Sequence, residues 1–66
     1  MTLYQLGRYL RLERNRQKLS QDQLAKISGV SLNSIHNLET GKPVLTTTLH
    51  EVVQALGFTL TVKKAD

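Results

Sequence analysis

The side chains able to do chemistry are few, and they do not assemble into a reaction centre. Cysteine is absent, which removes thiol nucleophiles, disulfides and thiolate metal ligands together. His36 and His50 stand far apart, with no ligand spacing around either. Ser20, Ser28 and Ser34 have no histidine or acid in a motif beside them, and Ser20 is better used as a helix cap. There is no carboxylate pair and no phosphate-cradling glycine loop. Catalysis is therefore not expected, nor is a cofactor or a metal. What remains is a run of hydrogen-bonding side chains and one cation: Gln21, Ser31, Asn33, His36, Asn37 and Lys42, with Leu32 among them. Such groups bind without making or breaking bonds.

Something must hold those side chains in register. Four stretches have helical apolar spacing, and each is punctuated as a helix should be. Thr2 with Gln5, and Ser20 with Gln23, have capping-box spacing. Ser31 and the threonines at 46–48 offer further N-caps. Gly29, Gly41 and Gly57 stand where a helix ends in a left-handed residue. The spacing predicts helices over about 3–17, 21–28, 32–40 and 47–56. Their inward residues are Leu3, Leu6 and Leu10; Leu24 and Ala25; Ile35 and Leu38; and Leu49, Val52, Val53 and Leu56. Arg8, Arg11 and Arg16 lie off the apolar face of the first helix. Pro43 falls between the third and fourth helices, where it breaks nothing. After Gly57 the period changes: Phe58, Leu60 and Val62 alternate with Thr59, Thr61 and Lys63, a strand signal over residues 58–62. Residues 63–66 read as a short polar tail.

The centre of the chain carries the functional signal. Gln21-Asp22-Gln23-Leu24-Ala25-Lys26-Ile27-Ser28-Gly29-Val30-Ser31-Leu32-Asn33-Ser34-Ile35-His36-Asn37-Leu38-Glu39 spells two short helices joined by a tight glycine turn, the helix-turn-helix layout. Ala25 is small where the helices cross, Gly29 permits the turn, and Val30 and Ile35 pin the second helix to the first. This stretch resembles the XRE, or Cro/CI, family of bacterial and phage regulators. The flanks match too: Leu6-Gly7, Leu10-Arg11, Arg14 and Leu19-Ser20-Gln21 before it, Leu38-Glu39-Thr40-Gly41-Lys42 and Ala55-Leu56-Gly57 after it. The ending Ala55-Leu56-Gly57-Phe58-Thr59-Leu60-Thr61-Val62 resembles HipB-type antitoxins within that family. Two features depart from the pattern. The link after Gly41 is about one residue short, and Leu45 stands where a capping Ser or Thr is common.

The resemblance assigns roles. It implies an all-α fold: a four- to five-helix, lambda-repressor-like helix-turn-helix domain, with a C-terminal β-strand pairing across a homodimer. Arg14 and Glu39 correspond to a partly buried ion pair tying the first helix to the third. Gln21 corresponds to a contact with the DNA backbone, its other reading being a solvated helix start; amides at a helix N-terminus suit a phosphate. Lys42 matches a phosphate contact. The outward face of the third helix, with Ser31, Leu32, Asn33, His36 and Asn37, is the face expected to enter the major groove. Asparagine can hold adenine through two hydrogen bonds, and Leu32 can touch a thymine methyl. Arg8, Arg11 and Arg16 are either backbone contacts or solvated charges.

Size and charge set the remaining limits. The chain has 66 residues and a net charge of +4. It is expected to be one domain over residues 1–66, and a positive balance on so small a body favours an anionic partner. No apolar run reaches the length of a membrane span or signal-peptide core, so the expected location is the cytoplasm, on the nucleoid, with no membrane partner. Below roughly 70–80 residues a single core seldom suffices without a staple, and with no disulfide or metal the one left is self-association. Phe58, Leu60 and Val62 form an apolar edge with no other strand in the chain to pair it. The expected solution is the same strand from a second copy, antiparallel, with Leu60 near the two-fold axis. The other reading packs the segment back on its own helices. The chain is thus expected to be a homodimer, and the resemblance implies a repressor on a palindromic operator, the autoregulating antitoxin of a HipA-type kinase toxin. The rivals are a regulator without a toxin, and a protein-interaction module using Tyr9, Leu12 and Ile27.

Overall fold

The computed structural model of the chain describes residues 1–65; Asp66, the end of the expected tail, lies outside them. Four helices follow one another: α1 (Leu3–Arg16), α2 (Gln21–Ser28), α3 (Leu32–Glu39) and α4 (Thr46–Ala55). Their ends fall within a residue of the sequence expectation. Both capping boxes form: the Thr2 and Ser20 hydroxyls accept from the Gln5 and Gln23 amides, and each glutamine side chain accepts in return from its cap's N–H. Ser31 caps α3 by accepting from the Ser34 N–H at 3.1 Å.

Helix α4 departs from expectation. It starts at Thr46, so the threonines lie inside it and Leu45 is the N-cap, which gives no side-chain hydrogen bond. Leucine has no acceptor to offer the free N–H groups of the first turn. At the other ends α1, α3 and α4 share one device. In each, the second residue past the cap donates back five residues and the first donates back three. The pairs are Leu19 to Arg14 and Lys18 to Asn15, Lys42 to Asn37 and Gly41 to Leu38, Phe58 to Val53 and Gly57 to Gln54. This is the Schellman arrangement, which satisfies the last carbonyls of a helix and needs a left-handed residue at its centre. In α1 that residue is Lys18, at φ 60°.

Helix α1 packs on α3, and α2 packs on both α3 and α4. The core is one cluster: Leu10, Leu24, Ala25, Ile35, Leu38, Val52, Val53 and Leu56. Ile35 and Leu38 are 0% exposed, so α3 is seated at the centre of the molecule. Leu3 is not part of the core; at 38% exposure it lies on the open first turn of α1. Among the described residues, no helix is long and apolar enough to cross a membrane.

The strand expected over residues 58–62 is not formed: residues 58–65 carry neither helix nor strand. The physical reason begins at Phe58. Its N–H completes the cap of α4 at 3.0 Å from the Val53 carbonyl, so it is not free for a ladder. Its ring packs edge-on against Tyr9, with centroids 5.8 Å apart. Beyond it Leu60 is 37% and Val62 96% exposed, so the three apolar residues are not covered as one edge within a single chain. A strand also needs a backbone partner, and no other segment among the described residues supplies one.

Candidate nucleic-acid interface

Three buried features aim α3. The first is the turn before it. Gly29 closes α2 in the left-handed region, φ 74°, where a side chain would be strained. Ser28 is buried there and its hydroxyl donates to the Leu24 carbonyl at 2.6 Å, so the turn leaves no bare hydroxyl. The second is Gly7 in the middle of α1. A Cβ at this position would collide with the Leu38 carbonyl oxygen and crowd the backbone of Glu39. The two helices can approach as they do only because α1 has no side chain at the crossing.

The third is the ion pair. Arg14 donates to Glu39 from Nε to Oε2 at 2.7 Å and from Nη2 to Oε1 at 2.9 Å, and its Nη1 donates to the Leu19 carbonyl at 2.7 Å. The two side chains are 9% and 4% exposed. Such a planar, two-bond grip fixes orientation as well as distance. Gln21 joins it, donating from Nε2 to Glu39 Oε1 at 3.1 Å. The first residue of α2, a residue of α1 and the last residue of α3 therefore meet in one network.

With its inner face fixed, α3 turns a varied outer face to solvent. Leu32, Asn33 and His36 are exposed, Leu32 at 47%. Ser31 is also exposed, but its hydroxyl is engaged with the Ser34 amide and lies 2.8 Å from the Ser34 hydroxyl. Asn37 is half-buried and lines a cleft with Ser34, Pro43, Val44, Leu45 and Thr48, on the α4 side. His36 lines a different cleft with Arg11, Arg14, Gln21, Glu39 and Thr40, on the α1 side. The five residues grouped on one outward face thus divide: Leu32 and Asn33 form an exposed crest, His36 and Asn37 line the clefts on either side, and Ser31 is taken up by the cap. Lys42 follows the α3 cap; its N–H is held by the Asn37 carbonyl at 2.8 Å and its side chain is exposed.

The three α1 arginines divide as well. Arg8 lies over the Tyr4 ring, 5.8 Å from its centroid, and its Nη1 is 3.3 Å from the Tyr4 hydroxyl. Arg16 pairs with Glu13 at 3.2 Å. Arg11 is exposed and has no ion-pair partner among the described residues. Gly7 was missed as a site-positioning residue by sequence reasoning, which read it only as part of a family match. A glycine inside a strong helical pattern, where it costs about 0.5–1 kcal/mol against alanine, was the available signal.

Two short helices crossing at a glycine turn, the second buried on one side and open on the other, define a helix-turn-helix module. The model of the helix-turn-helix domain family matches residues 5–64, and the chain belongs to that family. It is 43% identical over 51 residues to an uncharacterized HTH-type transcriptional regulator, y4mF, of Sinorhizobium fredii (strain NBRC 101917 / NGR234), a match covering 77% of this chain and 64% of that protein. The chain thus spans less than two thirds of that relative's length. It also resembles a solved structure titled MDT Protein, with a TM-score of 0.86 at 27% identity, covering 100% of this chain and 94% of the other.

Proposed function

We propose that this chain is a DNA-binding transcriptional regulator that lays α3 in the major groove of an operator. The observation that carries the reading is the two-sidedness of α3. Its inner side is immobilised by Ile35, Leu38 and the Arg14–Glu39 pair, while Leu32, Asn33 and His36 stand free on its outer side. A rigid helix with polar side chains on its exposed N-terminal half is what reading base edges requires. The net charge of +4 supplies the attraction to phosphate that any such protein needs. Asn33 is the base-reading side chain, Leu32 the partner of a thymine methyl, and Asn37 the second amide reaching from the α4 side. Gln21 and Lys42 hold phosphates on either side of the groove, and the capped start at Ser31 sets the depth of α3.

The regulator works as a homodimeric repressor on a palindromic site. Leu60 and Val62 support this part of the reading, because large apolar side chains left open on one chain favour burial against another. A second copy of residues 58–62 is the proposed partner. The narrower role is that of an antitoxin with a HipA-type kinase as its toxin, suggested by the resemblance of the sequence at residues 55–62 to the ending of HipB-type antitoxins.

The test is selection of duplexes from a random pool, followed by affinity titrations on the winner and on random DNA. The expected outcome is a palindromic site bound at least about 1,000-fold more tightly than random duplex. A pool that yields no preferred sequence defeats the reading. For the antitoxin role, the complex isolated with the neighbouring gene product must contain a kinase-like protein, and its absence leaves a regulator without a toxin.

A further inference from the structure

We propose that the cleft between α1 and α3 is a phosphate seat, and that Arg11 with His36 completes it for one phosphate of the bound DNA strand. The inference rests on the DNA-binding reading above and adds two residues to it. The cleft is lined by Arg11, Arg14, Gln21, His36, Glu39 and Thr40. Its one carboxylate is already neutralised: both Glu39 oxygens accept from Arg14, and Oε1 accepts from Gln21 as well. Each Arg14 nitrogen is engaged in return, with Nη1 on the Leu19 carbonyl. The Thr40 hydroxyl is turned inward to the His36 and Asn37 carbonyls. The groups left to meet a ligand are the Arg11 guanidinium, the His36 ring and the second N–H of the Gln21 amide.

That remainder has a definite chemistry. It is donor-rich, with one permanent positive charge beside a salt bridge that cancels itself. Asp22, the acid in the first turn of α2, is exposed and does not line the cleft. An oxyanion with several acceptor oxygens fits these donors, and a guanidinium meets phosphate through two of its N–H groups at once. The cleft borders the exposed crest of α3, so a strand crossing that crest is the nearest source of such a group. Arg11 is distinguished from its neighbours because Arg8 is occupied by Tyr4 and Arg16 by Glu13. His36 then holds the backbone and does not read a base.

Salt titration is the measurement, because each phosphate neutralised adds about 0.9 to the slope of log affinity against log salt. Arg11→Gln is expected to lower that slope by about one unit and to weaken operator and random duplexes alike, about eightfold at 0.1 M salt. Arg11→Lys keeps the slope. His36→Ala is expected to weaken both duplexes by the same factor. Lys26→Gln removes an equal charge outside the cleft and leaves the slope unchanged. Thermal melts of each variant match the parent, because Arg11, His36 and Lys26 are exposed. An Arg11→Gln slope equal to that of Lys26→Gln overturns the phosphate seat while the parent still binds its operator. Loss on the operator alone, for Arg11→Gln or His36→Ala, overturns it too, since it marks a base contact. A parent chain that binds no duplex brings down the functional reading, and this inference with it.

Discussion

Arg14 and Glu39 are 25 residues apart and meet in a buried, two-bond ion pair at 2.7 and 2.9 Å. Deleting one partner strands the other charge where its side chain is more than nine-tenths buried, at a cost of about 3–5 kcal/mol. Glu39→Ala is therefore expected to lower the melting temperature sharply or to unfold the domain outright. Arg14→Ala should do the same and also free the Leu19 carbonyl. A Glu39→Ala variant that melts like the parent shows that the pair does not hold α1 to α3.

Gly7→Ala sets two effects against each other. Alanine favours a helix by about 0.5–1 kcal/mol over glycine. Here its methyl would meet the Leu38 carbonyl oxygen, a backbone atom that cannot turn aside without moving α3. Overpacking of that kind costs about 1–3 kcal/mol, so the clash wins. The variant is expected to melt lower, by roughly 4–8 °C for each kcal/mol lost in a domain this small. A higher melting point contradicts the close crossing.

Leu45→Ser runs the other way. Leu45 already holds an N-cap backbone conformation, φ −65° and ψ 145°, and its side chain is 72% exposed. Serine would supply the missing acceptor at little loss of burial, a gain of about 0.5–1 kcal/mol. Calorimetry is expected to show a raised melting temperature, and no rise would mean that α4 finds its cap elsewhere.

These three predictions mark how far the sequence could be read. Helix positions were legible because caps are local: Thr2 with Gln5, and Ser20 with Gln23, announce themselves within four residues. The Arg14–Glu39 pair has no local signature, since 25 residues of chain separate the partners, and it was visible only through family resemblance. Gly7 is visible as a glycine inside a helical pattern, but what it spares is not, because the Leu38 carbonyl lies on another helix. The crest and clefts of α3 were merged into one face because periodicity places side chains around an axis without saying which neighbours flank them. The misread strand is the most instructive. A Schellman cap often carries an apolar residue two places after the helix, so Phe58 satisfied the alternation of a strand while serving the end of α4.

Specificity and affinity should separate at Asn33 and Lys42. Asn33→Ala is expected to cost about 1–3 kcal/mol on the selected operator and to relax preference at one base pair. Lys42→Ala should weaken every duplex and reduce the salt slope by about one unit. Equal losses on operator and random DNA for Asn33→Ala would remove it from base reading.

Self-association is tested at Leu60. Leu60→Asp places a charge at the centre of the proposed contact, and sedimentation is expected to show a monomer with weakened operator binding. A variant that remains a tight dimer with full affinity moves the contact to the helices, where Tyr9 and Leu12, at 42% and 60% exposed, are next in line.

Phe58 both closes α4 and opens the segment that leaves the domain, and Gln17 of the α1 cap fastens the same corner by donating to the Leu56 carbonyl at 2.8 Å. No slack residue lies between the last turn of helix and the departing chain. The exit is welded as far as Phe58, so the direction in which the chain leaves the domain is set by α4 and by the corner of α1. Lineages of this domain should therefore tolerate added residues beyond position 62 far better than a single one between 57 and 58, where one extra step would break the cap of α4.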